Sequence, residues 1–204
     1  MMQPSQKPLG RPKKETHQKS TKEIILQVAT DMFLDKGYPL ISMDDVAQQC
    51  DVTKATVYYY YKTKADLFTD AMIQLMYRIT QGIVKIFSTD ISLKEQLFTL
   101  AKEHLQATIN IDINTFMKEA KHSLSKQQEE QMKEAESKLY RALEDGLKKS
   151  MDKGVIPQGN THLAAFIFIS MLSVGKENEK TFDSLDDLVT EIVDFYWNGL
   201  ANNS

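Results

Sequence analysis

Apolar residues recur along this chain at intervals of three and four almost throughout, and nowhere alternate over the length a strand requires. The pattern predicts an all-α fold. From Ser20 onward, Ile24, Ile25, Val28, Ala29, Phe33 and Leu34 share one helical face, and Gly37 offers the left-handed cap that ends it. Ser42 opens a short second helix, with Asp45 three residues on as a capping-box partner and Val46 and Ala47 inward. Asp51-Val52-Thr53 reads as a tight turn in which Asp51 tolerates an unusual backbone conformation and Thr53 caps a third helix over 54–61. A fourth helix starts near Lys64 and carries Leu67, Phe68, Ala71, Met72, Leu75, Met76, Ile79, Ile83 and Ile86 on its apolar stripe.

Beyond Asp90 the period stays helical. Leu93, Leu97, Leu100, Ala101, His104 and Leu105 form one stripe, and residues 113–124 suit a shorter helix. A long charged helix is expected over 126–153, with Met132, Ala135, Leu139, Leu143 and Leu147 inward and Gly154 and Pro157 ending it. Asn160 or Thr161 opens the next, whose stretch 163–174 is apolar on nearly all sides, as in a helix enclosed by both a core and a partner. The last helix, 184–200, presents Leu185, Leu188, Val189, Ile192, Phe195 and Tyr196. These final two helices are the candidates for an intersubunit four-helix bundle. Phe166, Ile169, Ser170, Leu172, Ile192 and Tyr196 would contribute to it, with Ser170 and Ser173 permitting close approach; an intrachain core is the other use for the same residues.

Charge changes the picture at one end only. The formal net charge of −3 does not advertise a nucleic-acid binder, but Lys7, Arg11, Lys13, Lys14, Lys19 and Lys22 face the single acid Glu15 in the first 22 residues. Residues 1–18 mix Pro, Gly, Gln and Lys without periodicity and read as a flexible basic arm. The expected division is this arm, a small head over 19–66 and a larger helical domain over 67–204. No apolar run approaches the roughly 20 residues of a membrane span. The lone Cys50 fits a reducing compartment, so a cytoplasmic location away from membranes is expected.

Two short helices joined by a tight turn, in a chain of otherwise long helices, form a helix-turn-helix pattern. The second would enter the major groove by its N-terminal turn, exposing Lys54, Thr56 and the run Tyr58, Tyr59, Tyr60, Tyr61. Four consecutive tyrosines surround a helix axis, so they cannot all be buried on one face.

Over residues 24–72 the chain resembles the tetracycline-repressor family of bacterial regulators. The resemblance centres on Ser42-Met43-Asp44-Asp45-Val46-Ala47 and on Val52-Thr53-Lys54-Ala55-Thr56-Val57-Tyr58-Tyr59-Tyr60-Tyr61-Lys62-Thr63-Lys64-Ala65-Asp66-Leu67-Phe68. It implies nine or ten helices, a homodimer that binds double-stranded operator DNA, and usually repression relieved by a small ligand. It also assigns base or phosphate contacts to Thr53, Lys54, Thr56, Tyr58, Tyr59, Tyr60 and Lys64. Side-chain chemistry agrees for several of these: Lys54 reaches a guanine edge or a phosphate, Thr56 offers a methyl or a hydroxyl, Tyr59 and Tyr60 donate to phosphate, and Lys64 sits beside free helix-terminal amides. Ser42 and Thr53 divide between capping and phosphate contact. Val57 and Tyr61 read as core, and Tyr58 divides between packing and phosphate.

The chain departs from the family where Asp51 stands in place of the usual turn glycine, and Asp44, Asp45 and Asp51 all weaken attraction to DNA. Leu9-Gly10-Arg11-Pro12-Lys13 resembles the Gly-Arg-Pro arm of some members, with Arg11 a candidate for a narrow minor groove or for phosphate.

After about residue 80 the resemblance weakens. Phe98, Ala101, His104, Leu105, Phe116, Met117, Tyr140, Phe166 and Met171 are candidate walls of a cavity for a hydrophobic, aromatic or amphipathic effector, although core packing asks for the same residue types. An enzyme is the competing class. No nucleophile-base group or glycine-rich phosphate loop is legible, and His17, His104, His122 and His162 lack metal-ligand spacing, so no catalysis, metal or cofactor is expected. A ligand-independent architectural or protein-binding module, using the charged helix over 126–153 as a partner surface, is the other alternative.

Overall fold

The computed structural model describes residues 19–106, 120 and 122–201. The arm with Arg11, the possible helix over 113–124 apart from its last residues, and the cavity candidates Phe116 and Met117 lie outside the described residues. Within them all regular structure is helical: α1 (Thr21–Lys36), α2 (Met43–Gln49), α3 (Lys54–Tyr60), α4 (Lys64–Phe87), α5 (Leu93–Gln106), α6 (Lys126–Asp152), α7 (Thr161–Glu177), a 3-10 turn (Glu179–Thr181) and α8 (Leu185–Ala201).

Local chemistry explains where the first helices begin and end. Ser20 with Glu23, Ser42 with Asp45, and Thr63 with Asp66 each form a reciprocal capping box that satisfies two otherwise orphaned amides. Gly37 leaves α1 at φ 77°, a region that costs a side chain dearly. Asp51 takes the left-handed conformation expected of it, at φ 53°, and the Val52 amide then closes back on the Ala47 carbonyl at 3.0 Å. The inward face of α1 is narrower than its periodicity suggests. Ile25, Ala29 and Phe33 are fully buried on one i, i+4 line, whereas Ile24 turns outward.

The head closes on an aromatic trio, Phe33, Tyr38 and Phe68, whose rings meet edge-on or stacked at centroid distances of 4.8–6.0 Å. Around it pack Ile25, Val46, Val57 and Leu67. At about 36 Å, given 1.5 Å per residue, α4 outruns the head. Its first half, through Met76, belongs to the head's core, and its second half, with Ile83 and Ile86, belongs to the core of the larger body. The division expected after residue 66 thus falls inside one continuous helix. Two residues from the body's side of the chain, Ala120 and Met132, are fully buried in the head's cluster.

In the body, α6 runs along α4 and also packs on α7, while α5 packs on α8. Gly146 lets α6 lie directly on the Phe87 ring, where a β-carbon would overlap it, and Gly175 does the same for α7 against Ile192. No described helix is long and apolar enough to cross a membrane.

Candidate DNA-reading surface and the body behind it

The second and third helices hold each other through Val46, Ala47 and Val57, all buried. This packing leaves the N-terminal turn of α3 facing outward. Val57 and Tyr61 serve the core. The Tyr61 hydroxyl donates to Asp70 at 2.8 Å, and burial together with that carboxylate raises the phenol well above its ordinary pKa. Tyr58, Tyr59 and Tyr60 are exposed, Tyr59 by 73%. The rings of Tyr59 and Tyr60 meet edge to face at 5.0 Å, so one orders the other at the surface.

Each lysine, serine and threonine candidate on this surface already has a partner. The Lys54 ammonium donates to Asp44 at 2.8 Å and lies 5.8 Å from the Tyr58 ring centroid; the Asp44 hydrogen bond and charge raise its pKa. Ser42 Oγ donates to Asp45 Oδ2 at 2.7 Å and the Ser42 amide donates to the same oxygen at 2.8 Å, which together hold the Asp45 carboxyl below its ordinary value, while Ser42 Oγ accepts the Asp45 amide at 3.1 Å. Thr53 Oγ1 accepts the Thr56 amide at 3.2 Å and shares a 2.8 Å hydrogen bond with the Thr56 hydroxyl. Lys64 leans away from α3: it donates to the Pro39 carbonyl at 3.4 Å, with its ammonium 4.2 Å from the Tyr38 ring centroid, and partial burial lowers its pKa. Lys54, Thr56, Tyr58, Tyr59 and Tyr60 therefore occupy the part of α3 that Val57 and Tyr61 leave uncovered, with Ser42, Thr53 and Lys64 at its margins as helix caps and loop contacts.

The body divides the candidate cavity residues. Ala101 and Leu105 are buried in its core, against which Phe98 and Met171 pack half-buried. His104 lies beside them on α5. Burial, and then the nearby Lys176 charge, lower its pKa. Lys176 donates to the Leu105 carbonyl at 3.0 Å and to Glu179 at 2.8 Å. Tyr140 and Phe166 stand apart from this group, stacked on each other at 6.5 Å across α6 and α7, with Phe166 largely exposed.

The candidate dimer residues also separate. Leu172, Ile192 and Tyr196 are buried within the protomer, and the Tyr196 hydroxyl donates to the Ala164 carbonyl at 2.8 Å. Ile169 and Ser170 are half-buried, while Phe166 and Ser173 face outward. The outward apolar set also contains Leu163, Ile167 and Val174 on α7 and Phe195 on α8, the last exposed by 76%. Sequence periodicity did not separate Leu163, Ile167 and Val174, because α7 is apolar on both its inner and outer faces, and it placed Phe195 on the apolar stripe of the last helix, where the structure turns it outward.

Comparison with known proteins places this geometry. Residues 25–71 match the family described as bacterial regulatory proteins, tetR family. The HTH-type transcriptional regulator YhgD of Bacillus subtilis is 27% identical over 157 residues, covering 74% of this chain and 79% of that one. The HTH-type transcriptional activator FasR of Mycolicibacterium smegmatis is 23% identical over 192 residues, covering 87% and 82%. Among solved structures, the transcriptional regulator FadR from Bacillus subtilis in complex with stearoyl-CoA superposes with a TM-score of 0.68 at 19% identity, over 86% of this chain and 97% of that one. Residues 25–71 thus match the tetR family of bacterial regulatory proteins, and beyond them the chain is similar to HTH-type transcriptional regulators.

Proposed function

We propose that this regulator is a repressor that binds an inverted-repeat operator as a homodimer in the cytoplasm and is released by a small apolar or amphipathic molecule. The exposed face of α3 carries the reading: Lys54 and three tyrosines project from a helix fixed at its back by Val57 and Tyr61. Tyrosine hydroxyls and Lys64 would position the duplex through phosphate, Thr56 would read a base edge, and Lys54 would reach a guanine edge or a phosphate. Arg11 on the arm would add a minor-groove or phosphate contact.

Dimerisation is supported by the outward apolar residues of α7 and α8, which water would otherwise cover. The dimer would set two heads about 34 Å apart, the spacing of successive major grooves. An effector would act by binding more tightly to a dimer whose heads are wrongly spaced. The Phe98, Ala101, His104, Leu105 and Met171 group, with Phe116 and Met117 from outside the described residues, supplies candidate walls, and Tyr140 and Phe166 a second, outer pair. The stearoyl-CoA held by the similarly folded FadR favours a long-chain amphipathic effector as the first class to try. FasR is named an activator, so the sign of control needs its own measurement.

The test is selection of duplexes from a randomised library by the purified full chain at about 150 mM salt, with sedimentation of the bound species. Enrichment of an inverted repeat bound by dimers is expected, as is its loss on adding an acyl-CoA. Equal retention of shuffled duplexes would instead support an architectural role, and a monomer on DNA would overturn the dimer.

A further inference from the structure

We infer that Gln128, in the first turn of α6, is a positioning residue for the reading head: its side chain clasps the N-terminal caps of α6 and α4 together. The proposal rests on the DNA-binding reading above and adds to it a residue from the body.

The side-chain amide uses both of its ends. Gln128 Oε1 accepts the Ser125 amide at 2.8 Å and the Ser125 hydroxyl at 3.0 Å, while Ser125 Oγ accepts the Gln128 amide at 3.2 Å, which closes the capping box of α6. Gln128 Nε2 donates to Asp66 Oδ1 at 2.9 Å, across 62 residues of sequence. The amide's orientation follows from its partners, since a backbone N–H can only donate and a carboxylate can only accept. Asp66 is itself the capping-box partner of α4: its Oδ2 accepts the Thr63 amide at 3.0 Å, and the Asp66 amide donates to Thr63 Oγ1 at 3.0 Å. Two helix N-termini are thus joined through the two side chains that terminate them.

The place of this joint gives it leverage. The α4 cap follows the C-terminus of α3 after two residues, so the turn that Gln128 holds is the one from which the reading helix hangs. The surrounding contact is apolar, because Met132, one turn further along α6, and Ala120 are buried in the head's own cluster. Apolar packing tolerates sliding, whereas a directional hydrogen bond to a fixed cap specifies one register. The start of α6 therefore belongs mechanically to the DNA-reading apparatus, although it touches none of the proposed DNA contacts.

Gln128→Glu isolates the clasp. Glutamate is the usual capping-box partner and suits the positive end of α6, so that helix keeps its cap, but its carboxylate meets Asp66 with like charge. Adding D66N reverses donor and acceptor: the asparagine oxygen still accepts the Thr63 amide, and its NH2 donates to the new carboxylate. Full-length wild type, Q128E and Q128E/D66N are compared by hydrogen exchange of the Leu67 amide, which bonds the Thr63 carbonyl at 3.2 Å, and by affinity for a duplex enriched from the randomised library.

In Q128E, Leu67 exchange should quicken and duplex binding weaken, each by about tenfold, while the Glu129 amide in α6 exchanges as before. The double variant should restore both. Unchanged Leu67 exchange in Q128E, or a loss that D66N does not restore, overturns the clasp. If the wild type enriches no duplex, the DNA-binding reading fails while the exchange comparison still decides the clasp.

Discussion

The Lys54 ammonium lies 2.8 Å from the Asp44 carboxylate, so the first residue of α3 is neutralised by α2 before any DNA arrives. Both side chains are well exposed, and such a pair contributes little to folding. Its consequence is electrostatic. A lysine held by an acid is less available to phosphate, and the head's attraction for arbitrary DNA is reduced. Asp44→Asn should steepen the dependence of log affinity on log salt by about 0.9, one extra phosphate contact. The added K54Q substitution should cancel that change. Equal slopes for wild type and Asp44→Asn in a fluorescence titration would show that the pair does not restrain Lys54.

Tyr59 projects from α3 with no core role, and Lys64 is held by the Pro39 carbonyl and the face of the Tyr38 ring in the α1–α2 loop. Tyr59→Ala and Lys64→Ala should each weaken duplex binding by about tenfold, to a similar degree for different sequences, because phosphate contacts carry no base information. Helical content and dimer sedimentation should be unchanged. Undiminished affinity in either variant removes that residue from the contact surface.

His104 gives the body a pH dependence of definite sign. Its folded pKa is lowered, first by burial and then by Lys176, so the fold favours the neutral ring. That contribution is complete above the ordinary histidine value of about 6.5 and is lost as pH falls through and below it. Urea midpoints should therefore drop between about pH 7.5 and pH 5.5 more in the wild type than in His104→Asn. Parallel curves for the two proteins would mean that the imidazole is not penalised in the fold.

Gly146 sits under the Phe87 ring, where a β-carbon has no room. Gly146→Ala should cost about 1–3 kcal/mol in denaturant unfolding, since overpacking at a helix crossing forces backbone or ring to shift. Adding Phe87→Leu should recover part of the loss. The two substitutions are in contact, so their effects should not add. Additivity in the double-mutant cycle would place the strain elsewhere.

Much of this protein is written locally. The caps at Ser20, Ser42, Thr53 and Thr63, the left-handed Asp51 and the stop at Gly37 depend on neighbours within a few residues, and each was legible from residue type and spacing. The helix-turn-helix followed from those same signals, and so did the inward roles of Val57 and Tyr61.

What spacing could not determine was which apolar or polar side chain meets which. Along α7 nearly every position is apolar, so only packing separated the inward Leu172 from the outward Leu163 and Val174, and only the approach of α8 took Ile192 and Tyr196 into the protomer's core. The same holds for Lys64, drawn toward Tyr38, and for Lys54, drawn to Asp44. The Gln128–Asp66 bond joins two capping residues 62 positions apart. Each capping role can be read from its own helix start, but their meeting depends on how α6 lies along α4, a register set by the summed burial of many side chains rather than by any local pattern.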